Sequence, residues 1–276
     1  MSKSPQYRDV YIQHNINVEG SDVLEAISRK FYPYTREIDS IISLVKVRGS
    51  QSGKLNFADE LSNEGAREKD ITTCKSEYTD VVEVMRMIID NKDPYTRAHS
   101  DRVAYYSQAI GRAFNLSEEE LELLRLAGIF HDIGKVSTSS EILLKGECLN
   151  ATEYAEVKKH SLCGADLLSA ISLFNDVVPL IKYHHERIDG KGYPDGLKED
   201  EIPFLVKILS VADAFDAMTS DRKYKSKLNI EEAKSQLLKA AGTQFDPDVV
   251  RKFIVILDTD YDEIQNDIRK ISCRES

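Results

Sequence analysis

Five of the six histidines in the chain fall between residues 99 and 185: His99, His131, His160 and the adjacent pair His184 and His185. A neutral imidazole offers one lone pair to a metal, and a carboxylate offers two oxygens that serve one cation or bridge two. His131 and Asp132 follow the apolar run of Leu126, Ile129 and Phe130, so imidazole and carboxylate enter one site from a helix terminus. A buried charge without a partner costs several kcal/mol, and a bound metal would supply that partner. His160 falls inside an expected helix. His184 and His185 end the helical stretch "DVVPLIKYHHE", where consecutive side chains diverge by about 100° and so serve different metals. Asp213 lies in "LSVADAFDAM", an apolar helix in which a lone carboxylate would be expensive.

One buried cluster of nitrogen and oxygen ligands accounts for all seven residues. Together they exceed what a single four- or six-coordinate ion accepts with a position left open for water, so two metals are the economical count, with Asp132 as the natural bridge. No cysteine belongs to the set, which disfavours a thiolate zinc site and favours iron or manganese, the choice between them staying open. Cys163, three residues after His160, reads as core packing.

The elements that must position these groups read as helices. Ser117 with Glu120 forms a capping box, and Leu116 against Leu121 a hydrophobic staple, so a helix begins at residue 118 and delivers His131 at its far end. Asn150 with Glu153 starts a helix running through His160, and Asp246 before Pro247 starts "PDVVRKFIVIL". No alternating strand or "NG" hairpin interrupts the pattern, and the expected class is all-α. The chain changes character near residue 75. Residues 1–75 form an appendage of unknown role, with helices over 22–46 interrupted at Pro33 and an irregular polar stretch after them; residues 76–276 form the main domain.

Composition narrows the function classes. With 41% hydrophobic and 30% charged residues the chain is an ordinary globule, and runs such as "FLVKILSVA" and "FIVIL" are too short to span a bilayer. A net charge of −10 argues against a binder of DNA, RNA or anionic membranes, while leaving room for a local basic pocket. No signal-like start and no CxxC pair are present, so a soluble cytoplasmic protein with reduced thiols is expected.

The stretches "DPYTRAHSDRV" (93–103), "HDIGK" (131–135), "ILLKGECLNATEYAEVKKH" (142–160), "HHERIDGKGYPDGL" (184–197), "VADAFDAMTSDRKYK" (211–225) and "GTQFDPDVV" (242–250) together resemble the HD-GYP domain. That group of HD-superfamily metal-dependent phosphohydrolases cleaves cyclic dinucleotides. The resemblance implies an HD-type helical bundle and, as metal ligands, His99, His131, Asp132, His160, His184, His185 and Asp213, the residues already selected above. It implies a catalytic role for Asp132 and for Lys135, the latter against the scissile phosphate and leaving group. Gly192, Tyr193 and Pro194 match the GYP signature at the substrate, and Arg222 and Lys225 match positions that hold its phosphates. The implied reaction is attack of a metal-bridging hydroxide on cyclic di-GMP, giving linear pGpG and then GMP. Another nucleotide such as cyclic GMP-AMP, or a receptor with little turnover, is the alternative.

The chain departs from the family pattern in three places. Ser139 and Gly146-Glu147 replace prolines and a Pro-Gly pair in the 136–149 loop, and Lys223 stands where proline is frequent. Tyr95 stands where some members carry a glutamate tied to a third metal, which favours two metals here. The appendage reads as packing against the main domain, with a homodimer or a signalling-protein partner as the other reading, and the helix of residues 78–91 as the coupling element.

Overall fold

A computed structural model of the chain describes residues 82, 85–86, 96–145, 147–171, 174–220 and 227–273, without the side chains of 96–97 and 271–273. The expectations for residues 1–75, Tyr95, Gly146, Arg222, Lys223 and Lys225 lie outside these residues. Residues 82 and 85–86 are helical, and among the described residues from 96 on ten helices follow in chain order: α1 (Thr96–Ala113), α2 (Glu118–Phe130), α3 (Ser140–Leu143), α4 (Ala151–Lys158), α5 (His160–Leu168), α6 (Val178–Tyr183), α7 (Phe204–Thr219), α8 (Ile230–Ala240), α9 (Pro247–Thr259) and α10 (Tyr261–Cys273). Short 3-10 turns cover Ile133–Ser137 and Glu199–Glu201. Among the described residues there is no strand, only isolated bridges at Asp189 with Lys198 and Ala241 with Phe245, so the class is all-α as expected.

The start signals act as the physics requires. Ser117 Oγ accepts the Glu120 N–H at 3.3 Å while the Glu120 carboxylate accepts the Ser117 N–H at 2.9 Å, satisfying two amides that α2 itself leaves open. Asn150 and Glu153 do the same for α4, and Asn229 with Glu232 for α8. At α9 the Asp246 carboxylate accepts from the Asp248 and Val249 amides, with Pro247 in the first turn, where its missing N–H is no loss.

The helix expected to run from Asn150 through His160 is divided at Lys159, the single residue between α4 and α5. His160 Nδ1 lies 2.7 Å from the Val157 carbonyl. The chain turns at Lys159 and α5 starts anew.

Helix α7 is the centre of the bundle. Val206, Ile208, Leu209, Val211, Ala212 and Phe215 are buried around most of its circumference, as befits a helix enclosed by others. It packs on α1, α2, α6, α8 and α9. Tyr106 of α1, Phe215 of α7 and Phe253 of α9 meet edge to face at centroid separations of 5.0 to 5.8 Å, tying these helices together. Phe130 at the end of α2 packs likewise on Phe174 at 5.3 Å. These contacts hold α1, α7 and α9 together and fix the end of α2, beside a depression lined by His99, Asp132, His160, His184 and Asp213.

Candidate metal centre

Three imidazoles are aimed by the same local device. His131 follows the last residue of α2 and its Nδ1 donates to the Gly128 carbonyl at 2.8 Å; His160 Nδ1 donates to Val157 at 2.7 Å; His184 Nδ1 donates to Ile181 at 2.7 Å. Each bond runs back three residues, to a carbonyl in the last turn of the ending helix. Because a carbonyl only accepts, the Nδ1 atoms must carry the proton, and every Nε2 presents its lone pair. His99, in the first turn of α1, is aimed instead by a carboxylate: its Nδ1 lies 2.7 Å from Asp216 Oδ2. A carboxylate behind a ring nitrogen is a common support for a metal-binding imidazole.

The freed Nε2 atoms converge in two pairs. His99 and His131 bring theirs to 3.2 Å, and His160 and His184 bring theirs to 3.2 Å. Burial holds His160 and His184 below the usual imidazole pKa, and His185 is pushed down to about 4, chiefly by burial. At His160 and His184, two neutral imidazoles with lone pairs facing at this distance repel unless a cation sits between them. The donor set therefore fits bound cations on its own chemistry.

Asp132 joins the pairs. Its Oδ2 lies 3.4 Å from His131 Nε2 and 3.9 Å from His99 Nε2, whereas its Oδ1 lies 3.6 Å from His160 Nε2. Asp213 on α7 adds its Oδ1 at 3.4 Å from His99 and 3.8 Å from His131. Two compact groups result: His99, His131 and Asp132 in one, and His160, His184 and His185 in the other, each able to hold a metal ion. All seven residues singled out in the sequence are brought together, every one buried or nearly so. Burial opposes ionisation of Asp132 and Asp213, yet Lys135 and His131 beside Asp132, and His99 beside Asp213, hold both carboxyls well below their usual pKa. His99, despite burial, is pushed up to about 9 by Asp213 and Asp216.

Several supporting residues escaped the sequence reading. Asp216 is fully buried, accepts Arg102 Nε at 2.5 Å and Nη2 at 3.0 Å, and takes a bond from Ser220 Oγ at 3.1 Å. The signal existed: Asp216 stands three residues after Asp213, hence on the same helical face. Glu186 was also missed. Its buried carboxylate accepts the amides of Asp195 and Gly196 at 2.7 and 2.9 Å through Oε1 and of Leu197 at 3.0 Å through Oε2. One side chain thus shapes the loop that carries Gly192, Tyr193 and Pro194.

That loop and the "HDIGK" turn both depend on backbone contact. A Cβ at Gly192 would lie 2.4 Å from the Arg187 nitrogen, and one at Gly134 would lie 1.9 Å from the His160 carbonyl, so neither position has room for a side chain. The Tyr193 ring lies against His185 at 4.8 Å, and Lys135 Nζ donates to Asp132 Oδ2 at 2.6 Å. The centre opens into a cleft of about 690 Å³ whose wall includes Lys135, Tyr154, Lys191, Gly192, Tyr193 and Gln244. Pro194 does not line it, and neither does Cys163, which is half-buried on α5.

Fold and site together define an all-helical protein built around a histidine and aspartate centre suited to two cations. The model of the HD domain family matches residues 83–249, more than half of the chain. The chain belongs to the HD domain family. It is 34% identical over 187 residues to the 3′3′-cGAMP-specific phosphodiesterase 3 of Vibrio cholerae, covering 67% of this chain and 41% of that one. It is 37% identical over 185 residues to the cyclic di-GMP phosphodiesterase of Thermotoga maritima, covering 65% and 50%. The chain thus spans half or less of the length of these relatives. Its fold resembles the crystal structure of a cyclic GMP-AMP specific phosphodiesterase of Vibrio cholerae, with TM-score 0.51 and 21% identity over 68% of this chain and 52% of that one. An HDG"Y"P protein of Bdellovibrio bacteriovorus matches with TM-score 0.51 and 20% identity, covering 86% and 77%.

Proposed function

We propose that the centre hydrolyses a phosphodiester bond of a cyclic dinucleotide, with cyclic di-GMP as substrate. The single observation that carries the reading is Asp132, whose two oxygens face two separate imidazole groups at the floor of an open cleft. His99, His131, Asp132 and Asp213 would hold one cation, and His160, His184, His185 and Asp132 the other. The mixed nitrogen and oxygen donors without thiolate favour iron or manganese. When bound, two such cations would offset the charge of the phosphate and acidify a water molecule.

The chain's own residues supply the rest. Lys135, paired with Asp132 and lining the cleft, is placed to set its ammonium against the scissile phosphate and the departing ribose oxygen. Water adds to phosphorus, the bond to the 3′ oxygen breaks, and that oxygen takes the proton, giving linear pGpG and, after a second cut, GMP. Tyr193 and the Gly192 backbone form one wall for the ligand, with Pro194 fixing the loop, and Arg222 and Lys225 neutralise its phosphates. A second reading, with 3′3′-cGAMP as substrate, is favoured by the 34% identity to the Vibrio cholerae enzyme named for it.

We place the protein in the cytoplasm: among the described residues no helix is long and apolar enough to cross a membrane, and the cysteines show no pairing pattern. The test is turnover of each dinucleotide by aerobic and anaerobic preparations with metal analysis of the same samples. Two equivalents of metal with formation of pGpG support the reading; cleavage of cyclic GMP-AMP alone favours the second; bound metal without cleavage of either removes both.

A further inference from the structure

Helix α4 does two things at once. The Val157 carbonyl on its last turn orients His160, and one turn earlier Tyr154 turns its ring into the wall of the same cleft. The position of Tyr154 relative to the centre is therefore set by a single rigid turn.

Tyr154 has no packing task that explains it. No residue of α4 is buried, the ring is 51% exposed, and the hydroxyl has no hydrogen-bond partner among the described residues. It is nonetheless held: Lys158, one turn on, puts its ammonium 5.3 Å from the centre of the Tyr154 ring and 5.7 Å from that of Tyr193. This cation binds two aromatic faces and has no acidic partner among the described residues, so it fixes both rings at the cost of little freedom. The helix is tied down by the Asn150 and Glu153 cap and by Lys145, whose Nζ lies 2.7 Å from Glu153. An exposed aromatic held at the mouth of a polar cleft presents a flat apolar surface to whatever enters.

We propose that Tyr154, together with Tyr193 and braced by Lys158, forms a stacking surface for one nucleobase of the substrate. The proposal rests on the phosphodiesterase reading and adds a specificity residue to it. Stacking uses the π-face that every base has, so the surface accepts guanine and adenine alike and selects nucleotides over other phosphodiesters. Tyr154 positions the ligand and touches none of the reacting atoms.

The test compares Tyr154→Ala and Tyr154→Phe with wild type in the full metal-loaded chain, using cyclic di-GMP, 3′3′-cGAMP and a phosphorothioate cyclic dinucleotide carrying 2-aminopurine, whose fluorescence is quenched on stacking. Alanine at this exposed helical site keeps the fold. The expected result is a KM raised about tenfold for both dinucleotides with kcat within about twofold, loss of quenching in Tyr154→Ala, and full retention of both in Tyr154→Phe. Unchanged KM and quenching in Tyr154→Ala, or a fall in kcat alone, overturns the stacking role while leaving the hydrolase reading intact. A wild type that shows Tyr154-dependent quenching but no cleavage supports the surface and removes the hydrolase reading. A wild type that neither binds nor cleaves removes both.

Discussion

The two halves of the centre solve the same problem with different means. The half around His99 and His131 is rich in acid: Asp132 Oδ2 and Asp213 Oδ1 lie within it, and Asp216 stands behind His99. The half around His160, His184 and His185 has three imidazoles, with Asp132 Oδ1 near His160 and the Asp213 charge felt at His184 and His185. The consequence is visible in the rings themselves. His99, for all its burial, is drawn up to about 9 by Asp213 and Asp216, while His185, also buried, falls to about 4. One residue type is thus shifted in opposite directions, upward at His99 by its carboxylates and downward at His185 chiefly by burial. The acid-rich half stabilises positive charge through fixed carboxylates; the imidazole-rich half offers neutral donors whose direction is set by backbone carbonyls at helix ends.

Asp132 is where the comparison is most easily broken. Asp132→Ala removes the carboxylate whose two oxygens face the two halves and should lower turnover on the order of a thousandfold or more, with loss of bound metal and unchanged helicity by circular dichroism. Retention of full metal content in that variant would show that the halves do not depend on the bridge. A smaller and one-sided effect is expected behind the acid-rich half. Asp216→Asn leaves His99 in place with a weaker support, and should reduce metal affinity about 10- to 100-fold for one equivalent only. Competition with a graded series of chelators checks this, and an equal shift of both equivalents would contradict the division.

Glu186→Gln tests the loop instead of the cations. It replaces a carboxylate that accepts three amides by a neutral amide, and should destabilise the chain by about 1.5 to 3 kcal/mol in urea unfolding, since bonds to a charged acceptor carry that weight. Because those amides follow Tyr193 and Pro194, KM should rise more than kcat falls. The smallest effect is expected at Ser117→Ala, which removes the cap of α2 far from the cleft. Stability should drop by about 1 kcal/mol with metal content and turnover unchanged.

Much of the centre was legible in the chain because five of the six histidines cluster over residues 99–185 and because His131-Asp132 and Asp213 sit in apolar settings that are costly without a partner. A carboxylate in an apolar helix, as at Asp213, or a His-Asp pair closing an apolar run, announces a compensating group. Helix starts were legible for the same kind of reason: Ser117 with Glu120 and Asn150 with Glu153 satisfy amides only a few residues away. The division at Lys159 was not, since no proline, glycine or cap residue marks it in the sequence. Asp216 and Glu186 were missed because their partners, Arg102 and His99 for one and a loop nine to eleven residues on for the other, become neighbours only on folding.

The sequence alone thus determined the helical class, the helix caps and the inventory of donors, all of which follow from local spacing and from the expense of burying charge. Only the tertiary structure decided how those donors divide: that Asp132 turns one oxygen to each group, that His99 is backed by Asp216, and that Tyr154 faces the same cleft as Tyr193. The reason is one of range. Capping and periodicity act over three or four residues, whereas the direction of a side chain between helices is set by what the rest of the chain packs against it.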